Sequence, residues 1–151
     1  MSLTTVQPAM LTGTGKVVQV VNATYSTQVS NSTTTYADTG LTASITPLFS
    51  TSKILVFVNM NDCWSSASGR AIALQVVRNS TPIIVFANEA SYNTSTGIST
   101  SAGTTYLDSP ATTSATTYKV QFRNSQTNAQ VNINDSNVAN SSTIILMEIA
   151  Q

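Results

Sequence analysis

The sequence has no histidine, a single cysteine and very few charged side chains. Cys63 alone cannot form an intrachain disulfide, and without histidine the usual metal ligands and the usual base for a serine nucleophile are missing. Charged residues make up 8% of the chain, against about 25% in ordinary soluble domains. The formal net charge is zero. We therefore expect no metal, no cofactor, and no binding of nucleic acid or an anionic membrane, which would need a basic excess.

Long apolar runs are also absent. No run exceeds six residues, so we expect no transmembrane helix. The first residues lack a basic start and a long apolar stretch, so no signal peptide is expected, and synthesis in a host cytoplasm follows. The 151 residues are enough for one domain with its own core.

Hydroxylated residues take the place of charge. The chain contains 21 Ser and 25 Thr, so its surface must be built mainly from Ser, Thr, Asn and Gln. A lone monomer with so little charge is poorly protected against association. This composition favours a protein that works inside an assembly.

Alternation of apolar and polar residues predicts β-strands along most of the chain. We expect an all-β, antiparallel β-sandwich of jelly-roll type with about 8–9 strands, because short strands separated by turn residues are typical of that class. Segments 53–60, 82–86 and 143–149 are more continuously apolar than the other predicted strands. They are predicted to be central strands covered on both sides, or strands whose second face meets another subunit.

Three segments have local patterns that predict a particular structure. Residues 70–78 have helical spacing of apolar residues, but the turn-forming residues that follow them favour a strand. A tight hairpin is expected around Asn79 and Ser80. Residues 33–38 are predicted to add a short edge strand.

The first fifteen residues differ from the rest of the chain. We predict an N-terminal arm over 1–15, joined by the glycines at its end to a single β-sandwich domain over 16–151. The arm is expected to anchor the protein to a neighbour, with packing on its own domain and a frayed terminus as the alternatives. Its candidate anchoring residues are Leu3, Val6, Pro8, Met10 and Leu11.

The sequence Asp108-Ser109-Pro110 has the composition of a catalytic site. A serine nucleophile needs a base, and no lysine stands at motif spacing to replace histidine. The six carboxylates are scattered singly along the sequence. Glycoside hydrolysis uses a pair of carboxylates, and no such pair is apparent. We expect a corner in which the Asp108 carboxylate binds nearby backbone amides, and no enzyme activity.

Two aromatic residues are candidates for contact with a partner. Trp64 lies in the polar stretch 61–70, and Tyr92 begins the longest polar stretch, 91–103. An aromatic ring among small polar residues makes a good recognition anchor. The alternative is a partly packed Trp64 and a solvated loop around Tyr92.

Several segments of the sequence are similar to tailed-bacteriophage virion proteins described as tail-fibre or virion structural proteins. The segments are "DTGLTASITP" (38–47), "SKILV" (52–56), "YLDSPATTSATTYKVQ" (106–121) and "TIILMEI" (143–149). The resemblance covers about 16–151. It implies an antiparallel β-sandwich, a homotrimer and a place on a virion surface, without catalysis.

Two functions agree with this resemblance. In the first, a trimeric capsid decoration or cement protein binds capsid or other virion subunits through its N-terminal arm. In the second, the domain is a tail-fibre or appendage tip that binds a host-surface glycan or protein through its polar loops. The absence of a shaft-forming segment and the apolar arm favour the first.

Overall fold

The computed structural model describes residues 15–66, 69, 71–90, 92, 99–126, 131–134 and 140–151. Within these residues the chain forms ten strands. They are β1 (Val17–Tyr25), β2 (Val29–Asn31), β3 (Ala37–Ile45), β4 (Lys53–Ser65), β5 (Ile72–Arg78), β6 (Thr81–Ala90), β7 (Ser99–Asp108), β8 (Thr116–Asn124), β9 (Val131–Ile133) and β10 (Ser142–Ile149).

The strands form two antiparallel sheets. One contains β1-β10-β4, with β7 on β4 and the short strands β9 and β2 beyond the end of β4. The other is β3-β8-β5-β6. Without the two three-residue strands, the orders are β1-β10-β4-β7 and β3-β8-β5-β6, which is the arrangement of a jelly roll. The expected all-β sandwich of jelly-roll type is confirmed.

The core lies between the two sheets and follows from the alternation in the sequence. β3 buries Leu41, Ala43 and Ile45, and exposes the residues between them. β8 buries Tyr118 and Phe122 in the same way. Both strands therefore show the period of two that one buried face imposes. Strand β5 replaces the helical alternative for 70–78.

Of the two alternatives predicted for residues 82–86, the central strand was wrong. β6 forms an edge of its sheet and is half-exposed along its length, whereas a strand covered on both sides was expected. Pro82 explains the placement, because proline cannot donate to a neighbouring strand and is confined to edges. The expected hairpin is confirmed: Asn79 and Ser80 join β5 to β6, and Asn79 has a φ of 53°.

Strand β7 was not expected. In the sequence, 91–103 is only the longest polar stretch, but 99–108 forms a ten-residue strand paired along β4. The edge strand predicted for 33–38 is absent from the described chain, since only its last two residues are in a strand, the start of β3. The N-terminal arm lies almost wholly outside the described residues. In the described part of the chain no helix has the length and apolarity needed to span a membrane.

Gly40 fills a position that no other residue can occupy without strain. Its φ is 88°, and a Cβ added there would collide with the ring of Tyr25. We expect Gly40→Ala to lower the free energy of unfolding by about 2 kcal/mol, since both backbone strain and a clash oppose it. Thermal denaturation measures the loss.

Gly15→Ala is the matched control for that substitution. Gly15 has a similar φ of 82°, but no atom of the described residues lies within 4 Å of an added Cβ. Only the backbone cost remains, so its loss should be about half as large. Equal losses in the two variants would contradict the role assigned to the Tyr25 contact.

Candidate functional site

The carboxylate of Asp108 is held by side chains rather than by backbone amides. Arg78 Nη1 lies 2.8 Å and 2.9 Å from its two oxygens, and the Tyr118 hydroxyl donates to Oδ2 at 2.6 Å. Burial, together with the hydrogen bond to Asp108, raises the pKa of Tyr118, so its hydroxyl keeps its proton. The expected corner after Asp108 is present, but the expected backbone partners are wrong.

Glu148 is a second buried carboxylate with a structural role. It is 0% exposed and accepts hydrogen bonds from the backbone N–H groups of Leu48 (2.8 Å) and Phe49 (3.2 Å) and from Gln19 Nε2 (2.8 Å). Burial alone would raise the pKa of this carboxyl, but the hydrogen bonds outweigh burial and lower it. The interaction ties the β3–β4 connection to β10 and β1.

These contacts occupy the buried carboxylates of the described chain. Among the described residues, no group of three or more cysteine, aspartate or glutamate side chains is placed to hold a metal ion. Cys63 is buried, and burial raises the pKa of its thiol to about 12. It is a core residue with little thiolate to react.

The outer face of the β3-β8-β5-β6 sheet is polar. Gln75 donates to Gln121 (2.8 Å), and Gln121 donates to Asp38 (2.7 Å). Lys119 Nζ lies 2.9 Å from the Asp38 carboxylate. Partial burial would raise the pKa of Asp38, but Gln121 and Lys119 lower it overall. The polar side chains of this face therefore bind one another by hydrogen bonds.

The outer face of the β1-β10-β4-β7 sheet is apolar over half its length. Strand register places one row of four side chains across it, in the order Val20, Met147, Leu55 and Leu107. We call the surface around this row the apolar face. Its members are Val17, Val20, Leu55, Phe57, Leu107, Ile145, Met147 and Ile149.

The apolar face accounts for the continuous apolar runs of β4 and β10. One set of their side chains enters the core, and the alternate set forms the apolar face. Val20 is 57% exposed and Leu107 is 46% exposed, and no described element covers them. Contiguous apolar surface with a polar rim marks an interaction site.

A polar groove lies near the far end of β4. It has a volume of about 430 Å³ and joins the two polar stretches singled out in the sequence. Its lining residues are Asn61, Asp62, Ser99, Thr100, Ser101 and Asn140. Asp62 has a φ of 53° at a bulge in β4, and its carboxylate accepts hydrogen bonds from Ser99 and, at 2.6 Å, from Asn140.

The two aromatic candidates differ in their placement. Trp64 is half-buried within β4, where it pairs with Ser99 and with Asn132, which agrees with the alternative of a partly packed side chain. Tyr92 is 55% exposed just after β6. It lines a separate shallow groove of about 370 Å³, beside Glu89. Tyr92 is therefore exposed, and its role as a contact residue stays a prediction.

The candidate arm residues Leu3, Val6, Pro8, Met10 and Leu11 lie outside the described residues, so their role stays a prediction. The sequence left open whether the second face of β4 and β10 is covered by the domain or meets another subunit, and it did not predict the pairing of Arg78 with Asp108. A signal for the apolar face existed in the continuous apolar runs of β4 and β10. No signal for Arg78 existed, because it is 30 residues from Asp108.

Comparison with known proteins supports the fold. No family model and no curated protein matches the chain. Among solved structures, the VP2 subviral particle of infectious bursal disease virus matches with a TM-score of 0.50 and 14% identity, covering 99% of this chain and 42% of that one.

A second solved structure, the D431N mutant VP2 of the same virus in T=1 particles, matches with a TM-score of 0.49 and 15% identity, covering 99% of this chain and 41% of that one. The chain thus spans about two fifths of the length of the solved structures it matches. At this identity the likeness shows a shared fold.

Proposed function

We propose that the chain is a non-enzymatic structural protein of a virion. The observation that carries this proposal is the jelly-roll strand order, shared over 99% of the chain with a VP2 protein that builds a subviral particle. The resemblance of its segments to tailed-phage virion proteins points in the same direction. A surface rich in serine and threonine, with an apolar face, suits a subunit that meets other subunits.

The finer proposal is a homotrimeric decoration protein at the virion surface, made in a bacterial cytoplasm. Its residues 1–15 bind the capsid shell, because they carry apolar side chains without a periodic face of their own. Neither a metal, a cofactor, nucleic acid nor a membrane takes part.

Mixing with undecorated capsids tests the arm. We expect the full chain to saturate the shell, and a variant with Leu3, Val6, Met10 and Leu11 all changed to serine to lose most of its occupancy, since each buried apolar side chain contributes about 1.5 to 3 kcal/mol. Val85→Ser, on the edge strand β6, is the control. Unchanged occupancy of the arm variant would contradict anchoring by the arm.

Analytical ultracentrifugation at micromolar concentration tests the trimer. Three identical subunits about one axis are the expected assembly. A mass of three chains agrees with the proposal, and a single-chain mass contradicts it.

The alternative function is a fibre tip that binds a host-surface glycan or protein. The polar groove favours it, because hydroxyl, amide and carboxylate groups from 61–62 and 99–101 converge there. If this function holds, Asp62→Asn combined with Ser101→Ala should reduce adsorption to host cells several-fold, while Glu89→Gln should not. Normal adsorption of the double variant would remove this alternative.

A further inference from the structure

We infer that residues 1–14 dock on the apolar face of the same molecule. The inference goes beyond the proposed function, because it concerns the isolated chain before it meets any other subunit. The apolar face is uncovered in the described chain, and its exposed members include Val17, Val20 and Leu107.

The position where the described chain begins is the first argument. Gly15 N donates to Ala150 O (2.7 Å), and Ala150 N donates to Lys16 O (2.9 Å). Gly15, where the described chain begins, is therefore held near the paired residues Val17 and Ile149, at one end of the apolar face. The positive φ of Gly15 turns the chain out of the line of β1.

Length and composition are the second argument. An extended segment of 14 residues reaches about 46 Å. The distance across the sheet from β1 to β7 is only about 15 Å. The segment carries Leu3, Val6, Met10 and Leu11 and has no charged side chain. Docking would therefore bury apolar surface on both sides without desolvating a charged side chain of the segment.

Covalent attachment favours docking of the chain's own segment over docking of the segment from a second copy. Because residue 14 is bonded to the domain beside the apolar face, its effective concentration there is of millimolar order. A second copy at micromolar concentration competes poorly with such a tether. The charge of the face does not favour a charged partner either, since its members are uncharged and Lys53, paired with Ile149, lies at its edge.

Paramagnetic broadening in NMR spectra tests the inference on the full chain. A nitroxide is attached to Ser2→Cys, and the buried Cys63, with its raised pKa, does not compete for the label. We expect strong broadening of the methyl signals of Leu55, Leu107 and Met147. The control is Val85, which is 53% exposed on the other sheet and should stay sharp.

Substitution in the face supplies the matched comparison. Leu107→Ser should lower the docking equilibrium constant about tenfold and restore the signals of Leu55 and Met147. Val85→Ser should leave them broadened. Val20→Ser serves as a second variant if the first does not fold. Because Val20 and Leu107 are already exposed, neither change opens a cavity in the core.

Each outcome decides the inference. Broadening of the face methyls that responds to Leu107→Ser supports it. Equal broadening of Val85 means an undocked segment and overturns it. Broadening only when nitroxide and isotope label are on different molecules means docking on a second copy, and also overturns it. The NMR test uses the isolated chain without capsids. Its result therefore does not depend on whether the proposed capsid binding occurs.

Discussion

Replacing Asp108 with alanine is expected to lower the free energy of unfolding by about 3 to 4 kcal/mol. The change removes the acceptor for Tyr118, whose ring is fully buried, and leaves Arg78 without its bidentate partner. An unpaired buried hydroxyl and a partly buried cation both oppose folding. The midpoint of thermal unfolding should fall by about 10 °C.

Ser109→Ala is the control for this variant. Ser109 follows Asp108 directly, but its side chain is exposed. Its replacement should change the midpoint by less than about 1 °C. If Ser109→Ala were as damaging as Asp108→Ala, the network around the Asp108 carboxylate would not explain the effect. Asp108→Asn should lie between the two, because an amide oxygen still accepts from Tyr118.

Replacing Glu148 with alanine is expected to cost about 3 kcal/mol. The carboxylate is the acceptor for the N–H groups of Leu48 and Phe49, so its loss leaves two donors unpaired and frees the β3–β4 connection. Chemical denaturation at neutral pH measures the loss. Glu89, an exposed carboxylate on β6, is the control, and Glu89→Ala should be close to neutral.

The contribution of Glu148 should also depend on pH. Its pKa in the folded protein is below its ordinary value of 4.5. Its contribution is therefore fully present above that value and is lost as pH falls through the lower, folded pKa. The difference in stability between the wild type and Glu148→Gln should be constant near neutral pH and shrink in acid. A difference that grows in acid would contradict the lowered pKa.

Local pattern was sufficient to predict most strands. β3 and β8 were readable because each buries one face only, and the period of two is then visible in the residue types. The hairpin at Asn79 and Ser80 was also predictable, because the residues that form a tight turn are neighbours in the sequence. In β7 the outward positions are mostly Ser, Thr and Gly, so its alternation is weak, and pairing with β4 makes it a strand.

The site was less predictable because it depends on distant residues. Arg78, Asp108 and Tyr118 come from three strands, and only the sandwich brings them together. At β6 the apolar residues suggested a buried strand, although Pro82 indicated an edge strand. Whether an apolar sheet face meets a core or a partner is a property of the assembly. The sequence left that choice open, and the described domain leaves the apolar face uncovered.

The central claim is tested most directly by purifying particles of the virus that is proposed to encode this chain. Quantitative mass spectrometry and cryo-electron microscopy of intact particles give its copy number and position. The proposed decoration role predicts many copies at regular positions on the shell, and a few copies at the tail would instead support the fibre-tip alternative. Absence of the chain from purified particles would contradict a structural role in the virion.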